Sequence, residues 1–79
     1  MAVEVVSDSN TPMELNQRVG AYLAAGTHMV WVVYPETQTI DVYEPDQEVV
    51  RLTRNQTLGG GSVLPNLKLP LTKIFERIQ

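Results

Sequence analysis

The fold is decided by the stretch His28-Met29-Val30-Trp31-Val32-Val33-Tyr34-Pro35, residues 28–35, which is almost entirely apolar. The stretch is too short for a buried helix, and it is rich in the β-branched and aromatic residues that favour strands. Because both alternating sets of side chains are apolar, we expect a central strand that is covered on both faces. Trp31 and Tyr34 are therefore predicted to lie in the core or at its rim.

The residues after this strand predict two more strands. A turn at 35–38 leads into residues 39–44, in which Ile40 and Val42 are predicted to point inward and Asp41, between them, outward. A second turn at residues 45–47 leads into residues 48–53. Together with the central strand, these segments predict an antiparallel meander.

The residues before the central strand predict a strand and a helix. Residues 2–6, AVEVV, are typical of a strand, and this strand begins abruptly. A helix start is indicated by Thr11 as the cap, by Pro12 at the first helical position and by Glu14 three residues after the cap. Gly26 is typical of a helix end, so a helix is predicted over 12–25. Its apolar stripe is formed by Leu15, Val19, Tyr22 and Leu23.

The C-terminal third predicts a loop, an extended segment and a short helix. Residues 55–62, with three consecutive glycines, are predicted to be a flexible loop, and residues 64–70 hold two prolines that exclude a helix. The stripe of the final helix consists of Leu71, Ile74, Phe75 and Ile78. The predicted fold class is α/β (α+β), a single domain over 1–79 with the order strand, helix, three-stranded meander and short C-terminal helix.

Composition limits what the chain can do. A chain of 79 residues buries only about 60% of its unfolded surface, so its stability is marginal. It has no cysteine, which excludes disulfides, and one histidine, which argues against a zinc site. Association with another chain is therefore the remaining route to additional stability. A net charge of −3 and scattered basic residues argue against strong nucleic-acid binding. No stretch is long enough to span a membrane or resembles a signal peptide, so we expect the cytoplasm.

Few side chains are candidates for chemistry. Glu4 stands among valines, and it must either point to water or be held by a partner; the alternative is a metal-ligating carboxylate. Asp8 and Ser9, in the following loop, could equally be turn formers. Arg18 is expected on the flank of the helix and His28 at the surface, without a second metal ligand at a suitable spacing.

An acidic turn is the remaining cluster. Asp41, Glu44, Asp46 and Glu48 surround the predicted hairpin and are typical of a solvated turn. The triple glycine lacks the Lys-Ser/Thr of a phosphate-binding loop and is interpreted as a linker.

The order of four segments resembles one family. They are AVEVVSDSN, a helix ending in GAYLAAGT, VWVVYPETQTIDVYE and VLPNLKLPLTKIF. This succession is similar to the C-terminal part of the Uma-two family of PD-(D/E)XK endonuclease-like proteins, which is abundant in cyanobacteria and other bacteria. The resemblance implies a partial restriction-endonuclease-like core.

The resemblance also implies a site. Glu4 matches the strand glutamate, a catalytic residue and ligand of a divalent ion such as Mg²⁺, and Arg18 takes the position of a catalytic lysine on the helix. Val6 stands where other PD-(D/E)XK proteins have a lysine. The family's upstream aspartate would fall immediately before Met1.

Three hypotheses follow. The first is a truncated or degenerate nuclease-fold protein that is catalytically silent alone and forms a homodimer through an exposed sheet edge. The second is a Mg²⁺-dependent DNA endonuclease that uses Glu4 and Arg18. The third is a regulatory module whose acidic turn around residues 41–48 binds a basic protein.

Overall fold

The structure is a computed structural model that describes residues 1–7, 9–61 and 63–78, without the side chain of Ile78. Six strands and two helices follow one another in the described residues, as β1 (Ala2–Val5), α1 (Pro12–Ala24), β2 (Val30–Tyr34), β3 (Thr39–Tyr43), β4 (Val50–Leu52), β5 (Thr57–Gly60), β6 (Leu64–Pro70) and α2 (Leu71–Ile78). The first four strands form one sheet in the order β1-β2-β3-β4, and β5 and β6 form a second. The predicted mixed α/β class is confirmed.

The β1–α1–β2 unit places two parallel strands side by side under a helix. Ala2 pairs with Val30 and Val5 with Val33, in parallel. The helix begins as the sequence predicts, because the Thr11 side chain accepts a hydrogen bond of 3.2 Å from the Glu14 backbone. It ends one residue earlier than predicted, and Gly26 follows with a φ of 93°, which suits glycine.

The meander is confirmed, with shorter strands than the sequence predicts. Neighbouring strands are antiparallel, so that Val32 lies opposite Asp41, which lies opposite Arg51. β2 is covered on both faces, as expected for its continuous apolar sequence. Towards α1 it contributes Val30 and Val32 to one core cluster, and towards the second sheet it contributes Trp31 and Val33 to the other.

The predicted flexible loop at residues 55–62 is wrong for its central part, residues 57–60, while Ser62 lies outside the described residues. Thr57–Gly60 forms β5, which pairs antiparallel with β6 and carries an irregularity between Gly59 and Gly60. Leu58 is 1% exposed within the core cluster that includes Leu71 and Phe75 of α2. The segment is therefore an ordered strand, because its single large apolar side chain is buried and its backbone is paired.

The result is a three-layer arrangement that decides where polar side chains can act. α1 covers one face of the four-stranded sheet near β1 and β2, and the second sheet with α2 covers the other face. Among the described residues, no helix is both long and apolar enough to cross a membrane.

Candidate active site

Glu4 lies in the middle of β1 on the face that α1 covers. Side chains alternate along a strand, so Ala2, Glu4 and Val6 point towards the helix while Val3 and Val5 point to the other face. The Glu4 side chain is only 16% exposed. The sequence predicts that Glu4 either points to water or is held by partners. The structure shows that partners hold it.

Both carboxylate oxygens of Glu4 have a partner on α1. Tyr22 Oη donates a hydrogen bond of 2.9 Å to Oε1, and Arg18 Nη1 donates one of 3.4 Å to Oε2. Arg18 and Tyr22 are four residues apart and therefore lie on the same helix face. Arg18, with a side chain 51% exposed, reaches Glu4 from the flank of the helix, where the sequence places it.

The contact fixes the protonation of Tyr22. The hydrogen bond to Glu4, together with the negative charge of that carboxylate, raises the pKa of Tyr22 above its usual value, and the charge of Arg18 opposes this. Tyr22 is consequently a neutral hydrogen-bond donor. Sequence reasoning assigns Tyr22 to the apolar stripe and misses this role; the signal that could have found it is the polar end of its ring, which needs a partner when half-buried.

A divalent ion needs more oxygen ligands than this site supplies in one chain. Mg²⁺ is usually held by one or two carboxylates together with substrate phosphates. Among the described residues no group of three His, Cys, Asp or Glu side chains could hold a metal, and both oxygens of Glu4 already accept hydrogen bonds. Asp8, a candidate in the next loop, lies outside the described residues. The described side chains of a single chain therefore do not fit a resident metal.

Asp41 is the second carboxylate on the same face of the sheet as Glu4. It points away from Ile40 and Val42, as predicted, but its predicted solvated position is wrong. It is 4% exposed, because Arg51 on the neighbouring strand covers it with hydrogen bonds of 2.7 Å from Nε and 2.9 Å from Nη2. The Arg51 guanidinium carbon also lies 5.6 Å from the centre of the Tyr34 ring. Because Arg51 bonds both oxygens of Asp41, this carboxylate has a structural role and is not available as a metal ligand beside Glu4.

The remaining candidates lie apart from Glu4. His28 is exposed, as expected, and the Ser9 hydroxyl lies 2.9 Å from that of Ser7 within the loop. With Asp41 buried, the acidic turn is reduced to Glu44, Asp46 and Glu48. No observation on the described residues favours this turn as a binding site for a basic protein.

A cleft opens where β1 and β2 end. It has a volume of about 460 Å³ and is lined by Val6, Ser7, Tyr34, Pro35, Glu36 and Thr37. In open α/β sheets the carboxyl ends of parallel strands are the usual place for ligands. Glu4 does not line this cleft, so the cleft and the candidate carboxylate are separate features.

The family profile described as "Putative restriction endonuclease", Uma2, matches residues 1–72. The chain belongs to the Uma2 family. The resemblance predicted from four sequence segments is thereby confirmed, and Glu4 and Arg18 lie together where that resemblance implies a site. Their catalytic roles stay predictions.

A solved structure shares the fold of this Uma2 chain. It is a "putative nuclease belonging to DUF820" from Anabaena variabilis, with a TM-score of 0.86 and 24% sequence identity. The match covers 98% of the present chain and 44% of the Anabaena chain, so the present chain spans less than half the length of that neighbour. No curated protein matches the sequence.

Proposed function

We propose that this Uma2 chain forms the part of a restriction-endonuclease-like fold that carries the strand glutamate and the helix cation, and that it does not cleave phosphodiester bonds by itself. The observation that carries the proposal is the state of Glu4. Its two oxygens accept hydrogen bonds from Tyr22 and Arg18. The other described carboxylate on the same sheet face, Asp41, accepts hydrogen bonds from Arg51. Without a second available carboxylate, the described side chains of one chain do not supply the ligands that this family's usual divalent-ion chemistry requires.

Charge supports the same proposal. The chain has six Lys and Arg against nine Asp and Glu, whereas nucleic-acid binding rests on clustered cations that neutralise phosphates. Arg18 is paired with Glu4, and Arg51 with Asp41. Binding of DNA by one chain is therefore expected to be weak.

Self-association through β1 is the second part of the proposal. β1 is an edge strand, and within the described chain its outer side pairs with no strand. Val3 and Val5, 50% and 52% exposed, lie along this edge. An unpaired, apolar edge invites strand addition, and a chain this small gains stability from it.

A cleavage assay tests catalysis. The pure protein is incubated with supercoiled plasmid and with single-stranded DNA in Mg²⁺ or Mn²⁺, beside Glu4→Gln and Arg18→Gln. We expect no cleavage above the level of the two variants. Cleavage by the unaltered chain that Glu4→Gln abolishes would instead support the alternative function, a metal-dependent endonuclease in which Glu4 is the ligand and Arg18 stabilises developing charge.

The mass in solution tests association. Sedimentation equilibrium over a wide range of protein concentration is expected to show a monomer–dimer equilibrium, and Val3→Lys is expected to shift it towards monomer. A monomer at every concentration would contradict self-association and leave the cleavage result untouched.

A further inference from the structure

The cleft where β1 and β2 end continues into a second cavity towards the start of α1. The second cavity has a volume of about 180 Å³ and is lined by Val6, Asn10, Pro12, Leu15, Asn16 and Tyr34. Val6 and Tyr34 line both cavities, so the two form one groove that crosses these side chains. The cleft alone, at about 460 Å³, lies within the range of roughly 300–1,000 Å³ that is usual for small-molecule sites. The groove is therefore large enough for a small organic ligand.

The Tyr34 ring separates this groove from a fixed cation. Arg51 belongs to β4, on the side of β2 away from β1, and its guanidinium carbon lies 5.6 Å from the centre of the Tyr34 ring. The two hydrogen bonds to buried Asp41 hold the guanidinium in place. An aromatic ring that already faces one cation attracts a second cation less strongly than it attracts a neutral ring. The groove side of Tyr34 therefore favours a flat, uncharged ligand.

One carboxylate stands at the rim of the cleft. Glu36 is exposed, and within the described residues its side chain makes neither a hydrogen bond nor an ion pair. The hydroxyls beside it are engaged: Ser7 Oγ donates to Asn10 Oδ1 at 3.1 Å. Thr37 Oγ1 lies 2.8 Å from Thr39 Oγ1. Lysine, arginine and histidine are missing from the described residues that line the groove. A fitting ligand therefore brings N–H donors to Glu36 and no negative charge.

We propose that the groove binds a guanine base, stacked on Tyr34 and with its Watson–Crick edge on the Glu36 carboxylate. Guanine presents N1–H and an N2 amino N–H side by side, in the same N–C–N arrangement by which a guanidinium bonds both oxygens of a carboxylate. Adenine and cytosine present an amino group beside an acceptor nitrogen, which would face the second carboxylate oxygen. Unpaired bases stack on protein aromatic rings in the same way. The site goes beyond the proposed function, because it needs neither cleavage nor self-association.

The second cavity suits a sugar better than a phosphate. Asn10 and Asn16 bring side-chain amides to it, and these can bond sugar hydroxyls. Phosphate binding needs cations, which the described lining does not supply, and the chain as a whole carries a net charge of −3. The guanine can therefore come from a free nucleoside or from one unpaired base in a single strand, and a phosphate should not improve its binding.

Saturation-transfer difference NMR with four nucleosides tests the choice of base. Guanosine is expected to give the strongest transfer. Inosine, which keeps N1–H and lacks the N2 amino group, should give less, and adenosine and cytidine less again. In ¹H–¹⁵N spectra, guanosine should shift the amide signals of residues 6, 7, 36 and 37. Equal transfer from all four nucleosides would overturn the assignment to guanine, and transfer from none would overturn the site.

Substitutions test the two contacts separately. Glu36→Gln is expected to weaken guanosine binding roughly three- to tenfold, since it removes one of the two acceptor oxygens. Glu48→Gln, which removes another exposed carboxylate, is the matched control and should bind like the unaltered chain. Tyr34→Leu should weaken all four nucleosides at least about fivefold, whereas Tyr34→Phe keeps the ring and should retain binding. Because Glu36 is exposed, Glu36→Gln tests the site even where Tyr34→Leu does not fold, and unchanged guanosine binding by Glu36→Gln would overturn the proposal.

Competition separates the sources of the base and the rival ligand. A thymidine oligomer with one central guanine should displace guanosine, and an all-thymidine oligomer should not. Failure of both oligomers, with guanosine bound, assigns the site to a free nucleoside. Guanosine monophosphate should bind no better than guanosine. Tighter binding of N-acetylarginine amide than of guanosine would assign the cleft to a basic peptide and overturn the proposal. None of these results depends on whether the chain cleaves DNA or forms a dimer.

Discussion

The hydroxyl of Tyr22 donates a hydrogen bond of 2.9 Å to Glu4 Oε1 and joins the last turn of α1 to the middle of β1. The contact spans eighteen residues of sequence and occupies one of the two oxygens of the only carboxylate in β1. It makes the candidate site part of the packing of helix on sheet. A change at either residue is therefore expected to alter both the stability and the charge of the site.

Tyr22→Phe is predicted to lower the stability of the chain modestly. It removes one hydrogen bond and keeps the ring that packs beside Val30 and Val32, so the urea midpoint should fall while the secondary structure stays unchanged. In a Glu4→Ala background the same substitution should have almost no effect, since its partner is gone. Circular dichroism during urea unfolding measures the midpoint in both backgrounds. An equal fall in the midpoint with and without Glu4 would argue against the contact.

High pH is predicted to destabilise the fold through its tyrosines. The pKa of Tyr22 is raised mainly by Glu4, and the pKa values of Tyr34 and Tyr43 are raised mainly by burial and then by Asp41. The folded chain therefore holds these phenolic protons more tightly than the unfolded chain. The resulting stabilisation is complete below the ordinary value of 10.0 and is lost as the pH rises through the higher folded-state values.

Ultraviolet titration of tyrosinate measures this effect. The native chain should titrate above pH 10 and the urea-unfolded chain near it. Glu4→Gln should bring down the pKa of Tyr22 and leave the other two tyrosines as they are. A native titration curve that coincides with the unfolded one would contradict the prediction.

Changing Arg51 is predicted to destabilise the fold more than changing its ion-pair partner Asp41. Asp41→Asn leaves an exposed arginine that water can solvate, and it should cost about 1–2 kcal/mol of unfolding free energy. Arg51→Leu removes the bidentate partner of Asp41, a carboxylate that is 4% exposed in the intact chain, and it should cost more than Asp41→Asn. Urea denaturation of the two variants side by side checks the ranking, and the reverse order would contradict it.

Gly60→Ala is predicted to disrupt the second sheet. A Cβ at this position would meet the backbone of Leu64 on the paired strand, which cannot move aside without breaking the β5–β6 pairing, so a loss of about 2 kcal/mol or more is expected. Gly59→Ala is the matched control, because its Cβ would make an ordinary contact at 3.7 Å from Leu67 O. Thermal unfolding of both variants measures the difference, and equal stabilities would show that Gly60 is not constrained.

Strand β5 shows what the sequence could not predict about the fold. The local pattern of Gly59, Gly60 and Gly61 predicts a mobile linker, since glycine lowers strand propensity. The segment becomes a strand because Leu58 is buried in the core cluster that includes Leu71 and Phe75, and because its backbone pairs with β6; the run of glycines itself shows neither contact. The β1–α1–β2 unit and the meander were predictable because caps, turns and apolar runs encode them locally.

Asp41 shows the corresponding limit for polar residues. The alternation in residues 39–44 correctly separates the two faces, but it does not reveal that one face is covered by Arg51, ten residues later. Only the register of β3 against β4 brings this cation over the carboxylate. Glu4 was predictable as a special residue from its valine neighbours, whereas Tyr22 as its donor required the three-dimensional position of α1.

The buried position of Trp31 gives the chain an internal optical reporter. Trp31 is its single tryptophan, 8% exposed, and lies on the sheet face covered by the hairpin β5–β6 and α2. Its emission should be blue-shifted while this cover is in place and shift to longer wavelength once the cover detaches. Fluorescence can therefore follow the C-terminal layer separately from α1, which lies on the opposite face together with Glu4.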